Sequence, residues 1–144
     1  MPARLFVLAL LTCLALSCPA QADDLVVVVN PKIGVNKLTR QEVIDIYMGR
    51  TRQLPSGATA LPLDVSPSQP ERARFYEQLT GKSIAEINAY WARLMFSGRA
   101  SPPAQVRNQE EALLMVMDNR SALSYIERSK VTPQVKVVFE LVNP

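Results

Sequence analysis

The chain has 144 residues, a formal net charge of +3 and no histidine. This length accommodates one domain, and the missing histidine excludes Ser-His-Asp catalysis, Cys-His catalysis and histidine metal ligands. Basic residues are spread along the chain rather than blocked, which argues against nucleic acid as a partner. No cluster supports carboxylate-only or Ser-Lys chemistry, so we expect a protein that is not an enzyme and that needs no metal and no cofactor.

The first 22 residues have the pattern of a cleavable secretory signal. Arg4 precedes an apolar run over residues 5–16, and Ala-Gln-Ala at residues 20–22 supplies a small-x-small cleavage site. We therefore expect cleavage after Ala22 and a periplasmic location. An uncleaved membrane anchor stays open as an alternative, although a spanning helix needs about 20 apolar residues.

Cleavage after Ala22 leaves residues 23–144 as a single domain. Both cysteines, Cys13 and Cys18, lie in the signal, so the mature chain has no thiol nucleophile, no disulfide and no thiolate metal ligand. A lipoprotein modified at Cys18 is a second alternative, but the residues before it fit a lipoprotein signal poorly.

Predicted strands and helices alternate after residue 22. A β-branched run over residues 25–29 is typical of a central strand that is buried on both faces, as in a parallel sheet. Thr39 and Glu42 have capping-box spacing, and Gly49 ends the helix that they begin. Further strands are predicted over residues 60–64, 122–126 and 135–141, and further helices after Ser68, Ser83 and Asn108. This alternation predicts a layered α/β fold.

The segment between the second predicted strand and the second predicted helix is the candidate binding site. Ligands bind at the carboxyl ends of strands in open α/β sheets, and a helix N-terminus with free N–H groups suits an oxyanion. Ser66 and Ser68 would donate hydroxyl hydrogen bonds, and Asp64 would accept one from a protonated oxyanion such as phosphate. The structural alternative makes Ser68 an ordinary N-cap and Asp64 an ordinary turn residue.

Three more residues complete the candidate site. Arg72 and Arg74, in the first turns of the same helix, would add positive charge. Asn30, at the end of the first strand, would line the same sheet edge as Ser66, as would Asn36. Trp91 lies at helical spacing and is expected in the core rather than in a stacking platform.

Three segments in order resemble the phosphate ABC-transporter substrate-binding proteins. Residues 28–31 and 38–50 resemble that family's strand, loop and helix ending in aromatic-x-Gly-Lys/Arg. Residues 64–68 stand where the family has its Asp-Gly-Ser-Gly-Thr phosphate loop, and residues 121–127 are similar to its Gly-Ala-Ile-Gly-Tyr-Val strand. The order and spacing agree over residues 25–130.

The resemblance implies a single three-layer-like lobe of a type II periplasmic binding protein, with a mostly parallel sheet flanked by helices. It also implies a phosphate-like oxyanion as the ligand and a membrane transporter as the partner. Full-length members enclose the ligand between two lobes, whereas this chain corresponds to one of them. A homodimer would rebuild a closed site.

The departures from the family pattern lie in the phosphate loop. Pro62 and Leu63 stand where the family has an arginine, and Val65 and Pro67 replace the loop glycines. Pro67 has no N–H to offer an anion. Two functions therefore stay open: an exported oxyanion-binding protein that serves a transport system, or a periplasmic interaction or regulatory protein, with a signalling partner, that has lost tight ligand binding.

Overall fold

The computed structural model describes residues 23–142, and the predictions for the signal peptide lie outside that range. The described residues form one five-stranded sheet flanked by helices, which confirms the α/β fold class. In chain order the elements are β1 (Leu25–Val29), a 3₁₀ turn (Pro31–Ile33), α1 (Arg40–Tyr47), β2 (Leu61–Val65), α2 (Pro70–Thr80), α3 (Ile84–Phe96), β3 (Ala104–Val106), α4 (Gln109–Asp118), β4 (Ala122–Glu127), a 3₁₀ turn (Arg128–Lys130) and β5 (Lys136–Leu141).

The strands are ordered β3-β2-β4-β1-β5 across the sheet. β2 is parallel to β3 and to β4, whereas β1 is antiparallel to β4 and to β5. Four strands of the described sheet therefore point the same way, as predicted, and β1 points against them. The two helices that follow β2 and β3 both begin at the carboxyl edge of the parallel strands.

β1 occupies an interior position because it is apolar throughout. All five of its residues are completely buried, which confirms the predicted burial on both faces. Its register places Val27 beside Tyr125 of β4 and beside Phe139 of β5. The parallel arrangement expected for this strand is wrong: burial on both faces requires apolar side chains but does not depend on strand direction.

Three of the four predicted helix caps are present as expected. The capping box of α1 is complete, and Ser83 and Asn108 accept from the first turns of α3 and α4. Ser68 is not a cap, because α2 has Gln69 at its N-cap position with no side-chain cap bond. Pro70 explains the shift, since proline is pre-organised for the first helical position and fixes the N-cap one residue before it.

Strand β3 was not predicted from the sequence. It has three residues, of which Val106 is buried, and it follows Pro102 and Pro103. So short a segment shows no hydrophobic alternation and is formed by its pairing with β2. Within residues 23–142 no helix combines the length and the apolar character needed to cross a bilayer.

Gly49 lets the end of α1 approach α3 closely. Its φ is 72°, and a Cβ atom at this position would lie 2.7 Å from Cη2 of Trp91. The Trp91 side chain is 5 % exposed, which confirms its predicted place in the core. Neighbouring Tyr90 donates a hydrogen bond of 2.6 Å to the carbonyl of Met48, so both aromatic residues fasten α3 to the end of α1.

We expect Gly49→Ala to be more destabilising than Gly57→Ala. Gly57 also has a positive φ, 83°, but a Cβ there meets nothing within 4 Å. The Gly57 variant should therefore lose only the left-handed backbone cost of about 1 kcal/mol, whereas the Gly49 variant adds about 1–3 kcal/mol of overpacking against Trp91. Urea unfolding of both variants measures the difference, and equal losses would contradict the close contact.

Candidate functional site

The candidate site is the loop over residues 66–69, which joins β2 to α2 at the carboxyl edge of the parallel strands. The loop turns sharply, because the backbone N–H of Gln69 donates to the carbonyl of Ser66 at 2.9 Å. The hydroxyl oxygens of Ser66 and Ser68 lie 3.1 Å apart, and the N–H of Ser68 lies 3.4 Å from the Ser66 hydroxyl. Ser68 is exposed and Ser66 half-buried, so both hydroxyls are grouped where a solute can reach them.

Asp64, the residue expected to accept from a ligand, faces the interior. It is 4 % exposed, and its Oδ2 accepts from Arg72 Nε and from the Tyr76 hydroxyl, both at 3.0 Å. Its Oδ1 accepts from the Tyr125 hydroxyl. Both carboxylate oxygens therefore accept hydrogen bonds from side chains of the same chain. These bonds compensate the cost of removing the Asp64 charge from water.

The groups around Asp64 are themselves fixed by further contacts. Arg72 is almost fully buried, and its two terminal nitrogens lie 3.2 and 3.3 Å from Oδ1 of Asn88 on α3. The Tyr125 hydroxyl accepts from the N–H of Val65 at 3.2 Å. We call Asp64, Arg72, Tyr76 and Tyr125 the buried carboxylate network. It joins β2, β4 and α2 and, through Asn88, α3.

Aromatic rings enclose this network. Phe75 stacks on Tyr125 with ring centroids 3.9 Å apart, and Tyr47 meets Phe75 edge to face at 4.7 Å. Burial, followed by the nearby charge of Asp64, raises the pKa of Tyr47, Tyr76 and Tyr125 well above the ordinary tyrosine value. The Tyr76 and Tyr125 hydroxyls therefore remain protonated donors to the carboxylate throughout the neutral range.

The predicted cations of the site already have partners. Arg72 belongs to the buried carboxylate network, and Arg74 pairs with Glu127 at 3.2 Å. The other cations near this sheet edge are also paired, in Arg107–Glu111 at 3.2 Å, Arg128–Glu140 at 2.9 Å and Lys130–Glu110 at 2.6 Å. A ligand at residues 66–69 would therefore meet hydroxyl and backbone donors rather than an unpaired cation. The described residues contain no cluster suited to a metal ion.

Asn30 lies at the opposite edge of the sheet, so the expectation that it lines the same edge as Ser66 is wrong. Val29 pairs with Leu123, which pairs with Pro62 near the start of β2. The antiparallel direction of β1 is the cause, because it carries the end of β1 away from the end of β2.

The side chain of Asn30 has a structural role at that edge. Its Nδ2 donates to the carbonyls of Val116 and Met117 at 3.1 and 2.9 Å, and its Oδ1 accepts from the N–H of Lys32. Asn36 also lies beyond the opposite edge, where its Oδ1 accepts from Lys136 Nζ at the start of β5.

The chain matches no protein-family model and no curated protein. Its fold is shared with solved phosphate-transport proteins at 12–21 % identity and TM-scores of 0.62–0.64, each covering 81 % of this chain. One is an ABC-type phosphate transport receptor from Vibrio cholerae, with 21 % identity, a TM-score of 0.63 and 45 % of that chain covered. Another, from Clostridium perfringens, is described as a phosphate ABC-transporter substrate-binding protein and was solved with bound phosphate, with 18 % identity, a TM-score of 0.64 and 44 % of that chain covered. A third is PstS from Borrelia burgdorferi, with 12 % identity, a TM-score of 0.62 and 47 % of that chain covered. This chain therefore spans less than half the length of each, and the likeness establishes the fold.

We expect Asp64→Asn to destabilise the protein by about 3–5 kcal/mol, because it leaves the buried Arg72 charge without its counter-ion. Asp45→Asn is the matched control: its carboxylate pairs with Arg50 at 3.1 Å at the surface, where a pair contributes about 0–1 kcal/mol. Chemical denaturation of both variants measures the free energies of unfolding. A small, equal loss in both would show that the network does not stabilise the fold.

Stability should fall at alkaline pH. A tyrosine with a raised folded pKa stays protonated in the fold but ionises in the unfolded chain, so its contribution is complete below about pH 10 and declines above that value. Each such tyrosine adds a slope of about 1.4 kcal/mol per pH unit, and Tyr76→Phe should make the decline shallower by that amount. Denaturation midpoints measured from pH 8 upwards test this, and an unchanged slope in the variant would contradict it.

Proposed function

From this shared fold, we propose that the protein is an exported binding module that recognises phosphate or a similar oxyanion at residues 66–69 and serves a membrane transport system. The observation that carries the proposal is the pair of accessible hydroxyls, Ser66 and Ser68, at the start of a helix whose N-cap makes no side-chain bond. The signal-like pattern of residues 1–22 supports export to the periplasm.

The donors of this site are neutral. The hydroxyls of Ser66 and Ser68 can turn outward to an anion, and the first backbone N–H groups of α2 add the partial positive charge of a helix N-terminus. Pro67 contributes no N–H, so the loop itself offers fewer backbone donors than a glycine loop would. An oxyanion would therefore be bound by hydrogen bonds and a helix dipole, without an unpaired arginine.

The buried carboxylate network would support this site from beneath. The ion pair of Asp64 with Arg72 fastens the first turn of α2 to the end of β2, on either side of the loop. Because Asp64 accepts from its own chain, it leaves no carboxylate for the proton that distinguishes phosphate from sulfate at neutral pH. We therefore expect the two anions to bind with similar affinity.

Binding in an open site is weak, because water competes for every donor and screens the helix dipole. Donors of this kind in a solvent-accessible loop correspond to a dissociation constant of about 1 mM, or about 4 kcal/mol. A second lobe, from a partner or from another copy of the chain, would raise the affinity by excluding water.

A second candidate function is a periplasmic interaction or regulatory protein that keeps the fold but not the ligand. The observation that favours it is the commitment of Asp64 and Arg72 to each other inside the core. In this case Asp64 and Arg72 stabilise the core instead of binding a ligand, and residues 66–69 are an ordinary strand-to-helix connection. The titration below separates the two candidates.

Calorimetric titration of residues 23–144, which contain the whole described core, tests the proposal with phosphate and then sulfate. We expect similar, millimolar affinities and a loss of about tenfold in Ser66→Ala/Ser68→Ala, since each hydrogen bond contributes about 0.5–1.5 kcal/mol. Ser97→Ala/Ser101→Ala, which removes two exposed hydroxyls from the far end of α3, is the control and should bind like the parent protein.

Each other outcome has a definite meaning. Undetectable binding of both anions would reject the oxyanion site and leave the interaction protein as the function. Unchanged affinity in the Ser66/Ser68 variant would locate any binding elsewhere. Micromolar phosphate binding with sulfate ignored would show that a buried carboxylate can enter the ligand set.

A further inference from the structure

The carboxyl-terminal end of α3 exposes large apolar side chains. Phe96 is 97 % exposed and Met95 is 58 % exposed, and they are adjacent at the end of the helix. Ile87 and Trp91 anchor α3 in the core on the face away from Phe96, and Met95 continues their row one turn beyond Trp91. We call residues 93–99 the α3 tip. Its exposed phenylalanine needs an explanation, since an aromatic side chain in water forgoes most of its favourable transfer energy.

The α3 tip is also basic. No aspartate or glutamate occurs between Glu86 and Glu110, whereas Arg93 and Arg99 both lie within the tip. Both arginines are exposed, and neither has an ion-pair partner among the residues that the structure describes. The sequence therefore places one arginine on each side of the exposed apolar pair, a combination that is complementary to an anionic surface with an apolar interior.

The tip lies at the end of the molecule away from residues 66–69. Residues 97–103 lead from α3 to the first residue of β3, and Ala104 pairs with Leu63 before β2 reaches its carboxyl end. Arg52, which is exposed, lines a cavity of about 260 Å³ together with Gly49 and Ser101 at this same end. The cations here are thus separated from the salt-bridged carboxyl edge of the sheet.

The size of the apolar patch favours a lipid surface over a protein partner. Before the tip, the exposed apolar side chains of α3 are all small: they are Ala85, Ala89 and Ala92. A stable protein interface buries about 800 Å² on each partner, which two large side chains at a helix end do not provide. A bilayer surface needs only a few inserted apolar groups with cations beside them.

We propose that the α3 tip is a docking site for an anionic lipid bilayer. Phe96 and Met95 enter the boundary between headgroups and acyl chains, and Arg93 and Arg99 contact the lipid phosphates. The orientation leaves residues 66–69, at the other end of the sheet, facing away from the membrane. This docking does not depend on the oxyanion function.

Vesicle flotation of residues 23–144 tests the proposal in phosphate-free buffer at low ionic strength. We expect the protein to float with vesicles of equimolar phosphatidylglycerol and phosphatidylcholine and to stay behind with phosphatidylcholine alone. Phe96→Ser should lower the partition coefficient about tenfold, the effect of losing one buried aromatic side chain. Arg93→Gln/Arg99→Gln should lower it about 25-fold, since each of the two cations near such a surface contributes about fivefold.

Matched controls distinguish binding through the α3 tip from nonspecific hydrophobic or electrostatic adsorption of the protein to the vesicles. Leu114→Ser removes an exposed apolar side chain from α4, and Arg107→Gln/Arg128→Gln removes two positive charges from the opposite edge of the sheet. Both should partition like the parent protein. The emission of Trp91, the chain's single tryptophan, reports whether each variant is folded, because this residue is buried in the core.

Three results would overturn the proposal. The first is no preference for anionic vesicles, which would make an acidic protein the better candidate for this surface. The second is partition that Phe96→Ser leaves unchanged in a folded protein. The third is an equal loss in the control variants, which would indicate a nonspecific attraction of the whole protein to the vesicle.

Discussion

One buried ion pair, between Asp64 and Arg72, connects most of the elements that shape the candidate site. A carboxylate in the core is tolerated only when its oxygens are bound, and Tyr76 and Tyr125 complete that requirement. The four residues come from β2, β4 and α2, so their positions are mutually dependent. The same arrangement shapes the loop beside it: residues 66–69 are held at both ends by a network whose buried carboxylate already accepts at both oxygens from its own chain.

The sequence predicted the local structure better than the long-range contacts. Helix caps and glycine stops are local signals, and they correctly placed α1, α3 and α4. Strand direction is not local: the apolar residues of β1 predicted its burial but not its antiparallel pairing, and Asn30 was assigned to the wrong edge for that reason. The structural role of Asp64 could not be predicted from the sequence either. Its partner Tyr125 is 61 positions away, and the sequence around a tyrosine in a strand does not indicate which group its hydroxyl donates to.

The two ends of the molecule differ in how their charges are used. At the carboxyl edge of the parallel strands, cations such as Arg74 and Lys130 are matched by carboxylates within 4 Å. At the end of α3, Arg93 and Arg99 have no such partners among the described residues and stand beside Phe96. Surface ion pairs add little stability, so their main effect here is on the electrostatic field: the paired charges at one end largely cancel, whereas Arg93 and Arg99 at the other are not neutralised by any described carboxylate.

The position of β1 in the sheet has a consequence for the order in which the chain acquires structure. The first strand is flanked by the last two, β4 and β5, with Leu25 paired to Glu127 and to Leu141. Contacts of such sequence separation make folding slow, since a long loop must close before they form. A chain that crosses a membrane from its amino terminus would therefore keep its most apolar strand unpaired until residues 122–127 of β4 had emerged on the far side. Most of such a chain would then have crossed before its central strand was paired and a stable fold could oppose further movement through the membrane.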